Sequence, residues 1–212
     1  MSIIKELINT HFNENLGFGK HKDIAIKLLK ETTQILDEYN IDYFLISGTL
    51  LGYVRHNDFI PWDDDMDLIV DASFLDKLQE INKNKNNNIQ FIEISSCKWI
   101  IKSCYAEKII HDWPKSCNWN WPFIDLFIYG NTDDNNMNFF NKTWSRDKFF
   151  PKQTVSFLGI PVSIPNDPHY FLKINYGSKY MTIYKSSDYC HKYERPMGNT
   201  VEMSEKILKR NM

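Results

Sequence analysis

Four aspartates fall within five residues of this chain, directly before the apolar run at 68–70: Asp63, Asp64, Asp65 and Asp67. Carboxylates this close repel one another unless a cation or a proton lies between them. Alternate side chains of a strand share a face, so Asp65 and Asp67 are expected to point the same way, about 7 Å apart. Mg²⁺ and Mn²⁺ prefer oxygen ligands, often carboxylates completed by phosphate oxygens. The spacing therefore predicts a divalent-metal site of the kind used in phosphoryl transfer.

A third carboxylate, Asp125, stands inside the apolar run PFIDLFIY at 122–129. A charge buried in a strand needs a partner, and a metal shared with Asp65 and Asp67 supplies one if the three side chains meet on one face. The alternative for the acidic run is a solvated loop or a helix cap. Apolar residues before and after the run favour the metal site. Asp63 and Asp64 are expected to lie in the loop or outside the metal shell.

A small-residue turn precedes the acidic run. Residues 43–46 are typical of a short strand, and Ser47-Gly48-Thr49 leads from it into a helical segment at 50–54. Free backbone N–H groups at such a turn can cradle a phosphate. Gly48 and Thr49 are therefore candidate substrate-binding residues.

Three basic side chains are further candidates for contact with a phosphate. Arg55 and His56 follow the helical segment, and Lys102 lies on a strand-like stretch before Asp125. A surface ion pair with a nearby aspartate is the alternative for Arg55, and a lysine with its stem along the surface is the alternative for Lys102. The tryptophans Trp113, Trp119 and Trp121 offer either a platform for an acceptor sugar or core packing.

The chain has 212 residues and a formal net charge of -2, which provides no basic field for a nucleic acid backbone. No uninterrupted apolar run reaches the length of a membrane span, so we expect a soluble protein, although peripheral contact with a membrane is compatible with this. The four cysteines, Cys97, Cys104, Cys117 and Cys190, lack C-x-x-C spacing. That pattern favours reduced thiols in the cytoplasm over a zinc site built with His111.

The periodicity of apolar residues predicts helices over 23–39, 50–54, 73–81 and 168–176, and strands over 43–46, 65–71, 89–94, 99–101 and 122–129. A polar turn over 130–138, a hairpin over 155–164 and a short helix or tail over 201–210 complete the prediction. This order indicates an α/β or α+β domain. We divide the chain into an N-terminal segment at 1–22, a catalytic domain at 23–190 and a C-terminal tail or short helix at 191–212.

The stretch GTLLGYVRHNDFIPWDDDMDL at 48–68 resembles the signature of the LicD/fukutin-related family, nearly residue for residue. WPFIDLF at 121–127 and NYGSKYMT at 175–182 follow in the family's order. The resemblance implies a nucleotidyltransferase-like fold, in which helices flank a mixed β-sheet. It also implies that a phospho-alcohol, such as phosphocholine or phosphoribitol, is transferred from a CDP-activated donor to a hydroxyl of a glycan or glycolipid, with release of CMP.

The resemblance assigns roles to individual residues of this chain. Gly48 and Thr49 match the small-residue turn, Asp65 and Asp67 match the paired metal ligands, and Asp125 matches the third carboxylate. Asp125 is expected either to complete the metal shell or to accept the proton of the attacking hydroxyl. Two other functions stay open: transfer of the nucleotide itself from a nucleoside triphosphate, and a non-catalytic module that binds a nucleotide or glycan.

Overall fold

The computed structural model describes residues 17–83, 88–103, 119–186, 189–196 and 200–204. Its helices are α1 (Lys22–Glu38), α2 (Ser47–His56), α3 (Leu75–Lys83) and α4 (Pro168–Tyr176). The first seven strands are β1 (Tyr43–Leu45), β2 (Met66–Asp71), β3 (Ile89–Ser95), β4 (Lys98–Ser103), β5 (Phe123–Asp133), β6 (Asn136–Phe139) and β7 (Lys142–Ser145). The others are β8 (Gln153–Phe157), β9 (Ile160–Ile164), β10 (Ile183–Lys185), β11 (Tyr189–Cys190), β12 (Arg195–Pro196) and β13 (Glu202–Ser204).

The central sheet has the strand order β1-β2-β5-β4-β3, and β6 and β7 extend it from the far end of β5. Strands β2 and β5 are parallel, whereas the other neighbours in the sheet are antiparallel. The sheet is therefore mixed, and helices pack against it, which confirms the fold class expected from the sequence. Because β2 and β5 are parallel, their first residues lie side by side at one edge of the sheet.

Apolar side chains on both faces of β2 and β5 form the middle of the core. Leu68, Ile69, Ile124 and Leu126 are all fully buried. Helix α1 adds an apolar stripe at helical spacing that includes the buried Leu28 and Leu36. A strand that is buried on both faces has a continuous apolar sequence, so Asp67 and Asp125 near the starts of these strands stand out.

Several element boundaries differ from the sequence-based prediction. Helix α3 begins at Leu75 rather than at residue 73, because the carboxylate of Asp71 accepts a hydrogen bond from the Ser73 amide and closes a short 3₁₀ turn first. The polar stretch predicted as a turn over 130–138 instead continues β5 and forms most of β6. Asn and Asp disfavour strands intrinsically, but pairing with β7 outweighs that preference here.

The described residues between 180 and 204, here called the C-terminal segment, contain four short strands, and two of them, β12 and β13, lie where the sequence suggested a tail or a short helix. Strand β13 pairs with β10, and β11 pairs with β12. The rest of the stretch predicted as a short helix, from residue 205 onward, lies outside the described residues. Within the described part of the chain, no helix combines the length and the apolarity that crossing a membrane requires.

Candidate active site

Three carboxylates meet at the edge where β2 and β5 begin. Asp67 and Asp125 are direct partners in the parallel register of the two strands, so their side chains share a face. Asp65 precedes β2 by one residue. Carboxylate oxygens of Asp65, Asp67 and Asp125 all lie within 4.8 Å of one another, and all three residues are buried. The structure thus brings together the three residues that the sequence proposed as metal ligands.

The charges of this triad are not compensated by protein groups alone. Burial raises the pKa of Asp67 well above its ordinary value, and the charges of Asp65 and Asp125 raise it further. Burial also raises the pKa of Asp125 to about 6, although the Lys98 ammonium opposes the shift. Oxygen Oδ1 of Asp125 is buried without a hydrogen-bond partner among the described residues. Burial and the neighbouring carboxylates thus disfavour the ionised forms of Asp67 and Asp125.

Lys98 is the basic residue that reaches the triad. Its Nζ lies 2.6 Å from Oδ2 of Asp125. Lys102, the lysine proposed from the sequence, lies four residues later on β4, where its Cα partner on β5 is Phe123. Lys98 is the Cα partner of Phe127, so its long side chain must turn back along β5 to meet Asp125. Register alone does not separate the two lysines, because each lies two positions from Ile100, the Cα partner of Asp125; the direction taken by the Lys98 side chain makes the difference.

The turn at Gly48-Thr49 is tied directly to Asp67. The Gly48 amide donates a hydrogen bond to Oδ2 of Asp67 at 3.1 Å, and the Asp67 amide donates to Oγ1 of Thr49 at 2.8 Å. Ser47 holds a positive φ of 47° at the start of the helix. A Cβ on Gly48 would lie 2.2 Å from Oδ2 of Asp63, so that carboxylate occupies the space which glycine leaves open. These contacts fix the position of one triad member against the first turn of α2.

Asp64 holds the C-terminal segment against the site. The amide of Lys192 and the thiol of Cys190 donate hydrogen bonds to its Oδ2 at 2.9 and 3.0 Å, and the amide of His191 donates to its Oδ1 at 3.3 Å. Burial alone would raise the pKa of Asp64, but the hydrogen bond and charge of His191 lower it overall. Asp64 therefore has a structural role, consistent with its expected place outside the metal shell.

His191 enters the site although it is 127 residues from Asp64 in the sequence. Its Nδ1 lies 3.3 Å from Oδ1 of Asp64 and its Nε2 lies 3.5 Å from Oδ2 of Asp65. Burial lowers the pKa of His191, but the hydrogen bond with Asp64 and the charge of Asp65 outweigh it and raise the pKa to about 10. The sequence offered no signal for His191, because it belongs to no motif and is the first residue of the stretch predicted as a tail or short helix.

Arg55 and His56 lie beside the site, and both are engaged with the protein itself. The guanidinium of Arg55 donates to the backbone carbonyls of Tyr180 and Ile183 at 2.8 and 3.1 Å. The surface ion pair considered for Arg55, with Asp58 or Asp64 as the nearby aspartate, does not form: Asp58 pairs with Lys22, and Asp64 binds the C-terminal segment. Arg55 also lines the cavity in front of Asp63, Asp65 and Asp67, whereas His56 packs edge-on against Trp62 and Tyr184.

Two of the three tryptophans suggested as an acceptor platform, Trp119 and Trp121, lie among the described residues. Trp121 is buried, donates its Nε1–H to the carbonyl of Asp64 and stacks on Phe18, so it packs the core. Trp119 is half-buried with its ring edge-on to Phe123. Trp113 lies outside the described residues, as do Cys104, His111 and Cys117 of the alternative zinc set.

A cavity of about 460 Å³ opens in front of Asp63, Asp65 and Asp67. The other walls come from α2, from α4 and from the C-terminal segment, and they include Trp62, Tyr176, Tyr180, Ile183 and Glu202. Desolvation, together with the charge of Asp67, raises the pKa of Tyr176 well above its ordinary value, although the residue as a whole is 43% exposed. The hydroxyl of Tyr176 therefore stays protonated beside the carboxylates. The cavity is acidic at one end and aromatic at the other.

The fold and the site together define a class of protein: a mixed α/β domain in which carboxylates at the start of two parallel strands face a small-residue turn. Residues 40–167 match the family described as LicD/FKTN/FKRP, nucleotidyltransferase domain. This match covers more than half of the chain and both strands that carry the triad. The chain belongs to this family, which confirms the resemblance seen in the sequence.

Individual relatives are similar over different lengths. An uncharacterised protein of Rickettsia prowazekii is 28% identical over 202 residues, covering 90% of this chain and 67% of that protein. The lipopolysaccharide cholinephosphotransferase LicD of Haemophilus influenzae is 27% identical over 131 residues, 55% of this chain and 45% of that protein. The human ribitol 5-phosphate transferase FKRP is 43% identical over 48 residues, 21% of this chain and 10% of that protein. The chain thus spans less than half of the two named transferases.

Among solved structures, the lincosamide antibiotic adenylyltransferase LnuA with bound lincomycin superposes with a TM-score of 0.46 at 12% identity, over 73% of this chain and 86% of that chain.

Proposed function

We propose that the chain is a metal-dependent transferase that moves a phospho-alcohol from a CDP-activated donor to a hydroxyl of a glycan and releases CMP. The observation that carries this proposal is the triad of Asp65, Asp67 and Asp125, in which one buried oxygen of Asp125 has no hydrogen-bond partner among the described residues. The names of two relatives, a cholinephosphotransferase and a ribitol 5-phosphate transferase, support the kind of group transferred. The donor screen identifies the alcohol that this chain transfers.

The three carboxylates of the triad form a ligand set that fits Mg²⁺ or Mn²⁺. All three groups are carboxylates, and their oxygens lie within 4.8 Å of one another, which suits a hard cation that binds oxygen. Asp65, Asp67 and Asp125 would hold the metal, and a bound metal would supply charge stabilisation to the pyrophosphate of the donor. A second group, Asp64, Asp65 and His191, also has ligand atoms within 4.8 Å. Asp64 in that group is occupied by amide donors, which makes the aspartate triad the better site.

The residues of the chain would hold the reacting groups in place. The acceptor hydroxyl attacks the phosphorus that bears the alcohol, the bond from this phosphorus to the CMP oxygen breaks, and the hydroxyl proton must pass to a base. Asp125 is the candidate base if its Oδ1 is not a metal ligand, and both roles stay open. The cavity beside Asp63 and Asp65 has room for a donor. Positioning and electrostatics would then provide most of the rate enhancement.

A cytoplasmic location belongs to the same proposal. It rests on the spacing of the cysteines and on Cys190, whose thiol donates to Asp64. The acceptor is proposed to be a glycan or glycolipid.

A donor screen tests the function. The protein is incubated with Mg²⁺, a mixture of bacterial cell-surface glycans and each of CDP-choline, CDP-ethanolamine, CDP-ribitol and CDP-glycerol, and CMP release is measured. We expect one donor to support release, and Asp65→Asn or Asp67→Asn to reduce the rate at least about a hundredfold. Asp134→Asn changes an exposed aspartate outside the site and should keep the wild-type rate.

Labelled nucleotide distinguishes the other functions. Label from a nucleoside triphosphate that appears on the acceptor would show nucleotidyl transfer instead. No CMP release with any donor, together with metal-dependent nucleotide binding measured by calorimetry, would support a non-catalytic module. Wild-type rates in both triad variants would refute the metal site itself.

A further inference from the structure

A second cleft lies next to the triad, and neither the family match nor the names of the relatives assign it a role. It has a volume of about 650 Å³ and is lined by the start of β4, by Phe127 of β5 and by the β6–β7 hairpin. We call it the hairpin cleft. Phe127 follows Asp125 by two positions on β5, so the two side chains share a face of the strand. The hairpin cleft therefore lies directly beside the triad along β5.

Lys98 connects the two sites. Its side chain lines the hairpin cleft, while its Nζ forms the ion pair with Asp125 at 2.6 Å and lies 5.5 Å from the centre of the Phe127 ring. A molecule in the hairpin cleft would thus touch the same lysine that contacts the triad. An acceptor bound in the hairpin cleft would therefore lie beside the triad.

The lining of the hairpin cleft suits an anionic sugar. Phe127 and Phe140 pack edge-to-face with ring centres 4.8 Å apart, and both are half-buried, so apolar ring surface remains in reach of a sugar face. Asn138 and Asn141 present exposed side-chain amides, which can donate to and accept from sugar hydroxyls.

The charge of the hairpin cleft is positive. The described residues that line it include Lys98 and Lys142 but no acidic residue. Lys142 is exposed, lies 5.7 Å from the centre of the Trp144 ring and pairs with no carboxylate in the described part of the chain. Because Lys98 is already neutralised by Asp125, the charge available to a ligand is that of Lys142. A phosphate or carboxylate on a sugar is the group that such a lysine binds.

We propose that the hairpin cleft binds the acceptor through an anionic sugar, which is a sugar ring carrying a phosphate or a carboxylate. The proposal rests on the transferase function above for its place in the reaction, but binding can be measured without donor. The sugar ring packs on Phe140, its hydroxyls bond the amides of Asn138 and Asn141, and its anionic group pairs with Lys142.

The binding test uses the ¹⁵N-labelled full chain without donor or metal. Glucose 6-phosphate is titrated as the probe, with glucose and inorganic phosphate as probes that lack the charge or the ring. We expect glucose 6-phosphate to shift the amide signals of residues 138–143, and each partial probe to bind at least about tenfold more weakly. Glucuronic acid in place of glucose 6-phosphate shows whether a carboxylate serves as well as a phosphate.

Two variants locate the contacts. Lys142→Glu should weaken binding of glucose 6-phosphate at least about tenfold, whereas Lys30→Glu makes the same change of net charge on the exposed face of α1 and should not change it. Phe140→Leu removes the ring and should weaken both sugars but not inorganic phosphate. Shifts confined to residues around Trp62 and His191, no shift with any probe, or equal losses in the two lysine variants would overturn the proposal.

A kinetic readout then separates this proposal from the function itself. With the donor found by the screen and a phosphorylated glycan acceptor, Lys142→Glu should raise the KM for acceptor about tenfold while kcat changes much less. If no CDP-alcohol supports CMP release, the transferase function fails, and the titration alone still decides whether the hairpin cleft binds anionic sugars.

Discussion

At the scale of single residues, Gly48 shows how close the packing around the acidic site is. Its amide donates to Asp67, and a Cβ at this position would overlap the carboxylate of Asp63 at 2.2 Å. Glycine is required here because of this close approach, since a positive φ is found at Ser47 rather than at Gly48. The small-residue turn thus makes room for a carboxylate of the same site.

Gly48→Ala tests this reading. We expect the alanine to displace Asp63 or the first turn of α2, to destabilise the protein by about 1–3 kcal/mol and to reduce CMP release at least about tenfold. Thermal unfolding and the donor assay measure the two effects. Gly130→Ala is the matched control, because a Cβ there meets no atom within 4 Å. Unchanged unfolding and activity in Gly48→Ala would show that the site tolerates the overlap.

His56 gives a pH prediction at the same scale. Burial, and next the charge of Arg55, lower the pKa of His56 from 6.5 to about 4. The unfolded chain therefore binds a proton at His56 below pH 6.5, whereas the folded protein does so only below about pH 4. The stability that neutral His56 contributes is fully present above pH 6.5 and is lost as the pH falls towards 4.

His56→Gln isolates this contribution. The free energy of unfolding is measured by urea titration between pH 7.5 and 4 for both proteins. We expect the wild type to lose its advantage over the variant steadily as the pH falls from 6.5 to about 4. A difference between the two proteins that stays constant with pH would mean that His56 is not held neutral by the fold.

At the scale of elements, the stretch from α2 to β2 both lines the cavity and anchors the C-terminal segment. Asp63, Asp65 and Asp67 face the cavity, whereas Arg55, Trp62 and Asp64 bind backbone groups of the C-terminal segment. Trp62 donates its Nε1–H to the carbonyl of Lys185 at 3.2 Å. Strands β10, β11 and β13 are too short to be stable alone, so these anchors hold that wall of the cavity in place.

Trp62→Phe should loosen this wall. The substitution keeps an aromatic ring and removes the hydrogen bond to Lys185, which contributes about 1 kcal/mol. We expect amide hydrogen exchange in residues 183–186 and 189–192 to speed up about fivefold, with α1 and β5 unchanged. Trp144→Phe removes an equivalent bond to the carbonyl of Phe139 and should leave these residues at their wild-type rate. Equal acceleration in both variants would indicate global destabilisation instead.

The elements that the sequence predicted well are those with strong local signals. Helix α4 begins at Pro168 after the capping carboxylate of Asp167 and ends at Tyr176 before Gly177, as the sequence pattern indicated. Helix α1 matches the prediction within one residue at each end. Strand β6 was missed because its Asn-rich sequence has no apolar alternation over enough residues, and only pairing between β5 and β7 makes it a strand.

At the scale of the whole molecule, the acidic triad should reduce stability in the absence of a cation. Asp67 is 7% exposed, and its pKa is raised well above its ordinary value by burial and by neighbouring carboxylates. The folded protein therefore carries a cost when Asp67 is ionised, and a divalent metal should recover it by binding the folded state alone.

Asp67→Asn separates these effects. Asparagine can still accept the hydrogen bond from Gly48, but it removes the charge. We expect the metal-free variant to be more stable than the wild type by about 1 kcal/mol, which corresponds to a rise in melting temperature of about 3 °C. Mg²⁺ should raise the melting temperature of the wild type and of Asp134→Asn, but not of Asp67→Asn. A similar Mg²⁺ response in all three proteins would place the metal elsewhere.

The sequence by itself determined the residue types of the site and three of its local features. Asp65-x-Asp67 beside an apolar run and Asp125 inside another are local facts, and so is the turn at Gly48-Thr49, because charge and glycine within core-like segments have few explanations. Only the tertiary structure decided which partners meet: that Asp125 pairs with Asp67 in register, that Lys98 rather than Lys102 reaches it, and that His191 closes the site. Register and long-range contact depend on how whole strands pack, and no short stretch of sequence encodes them.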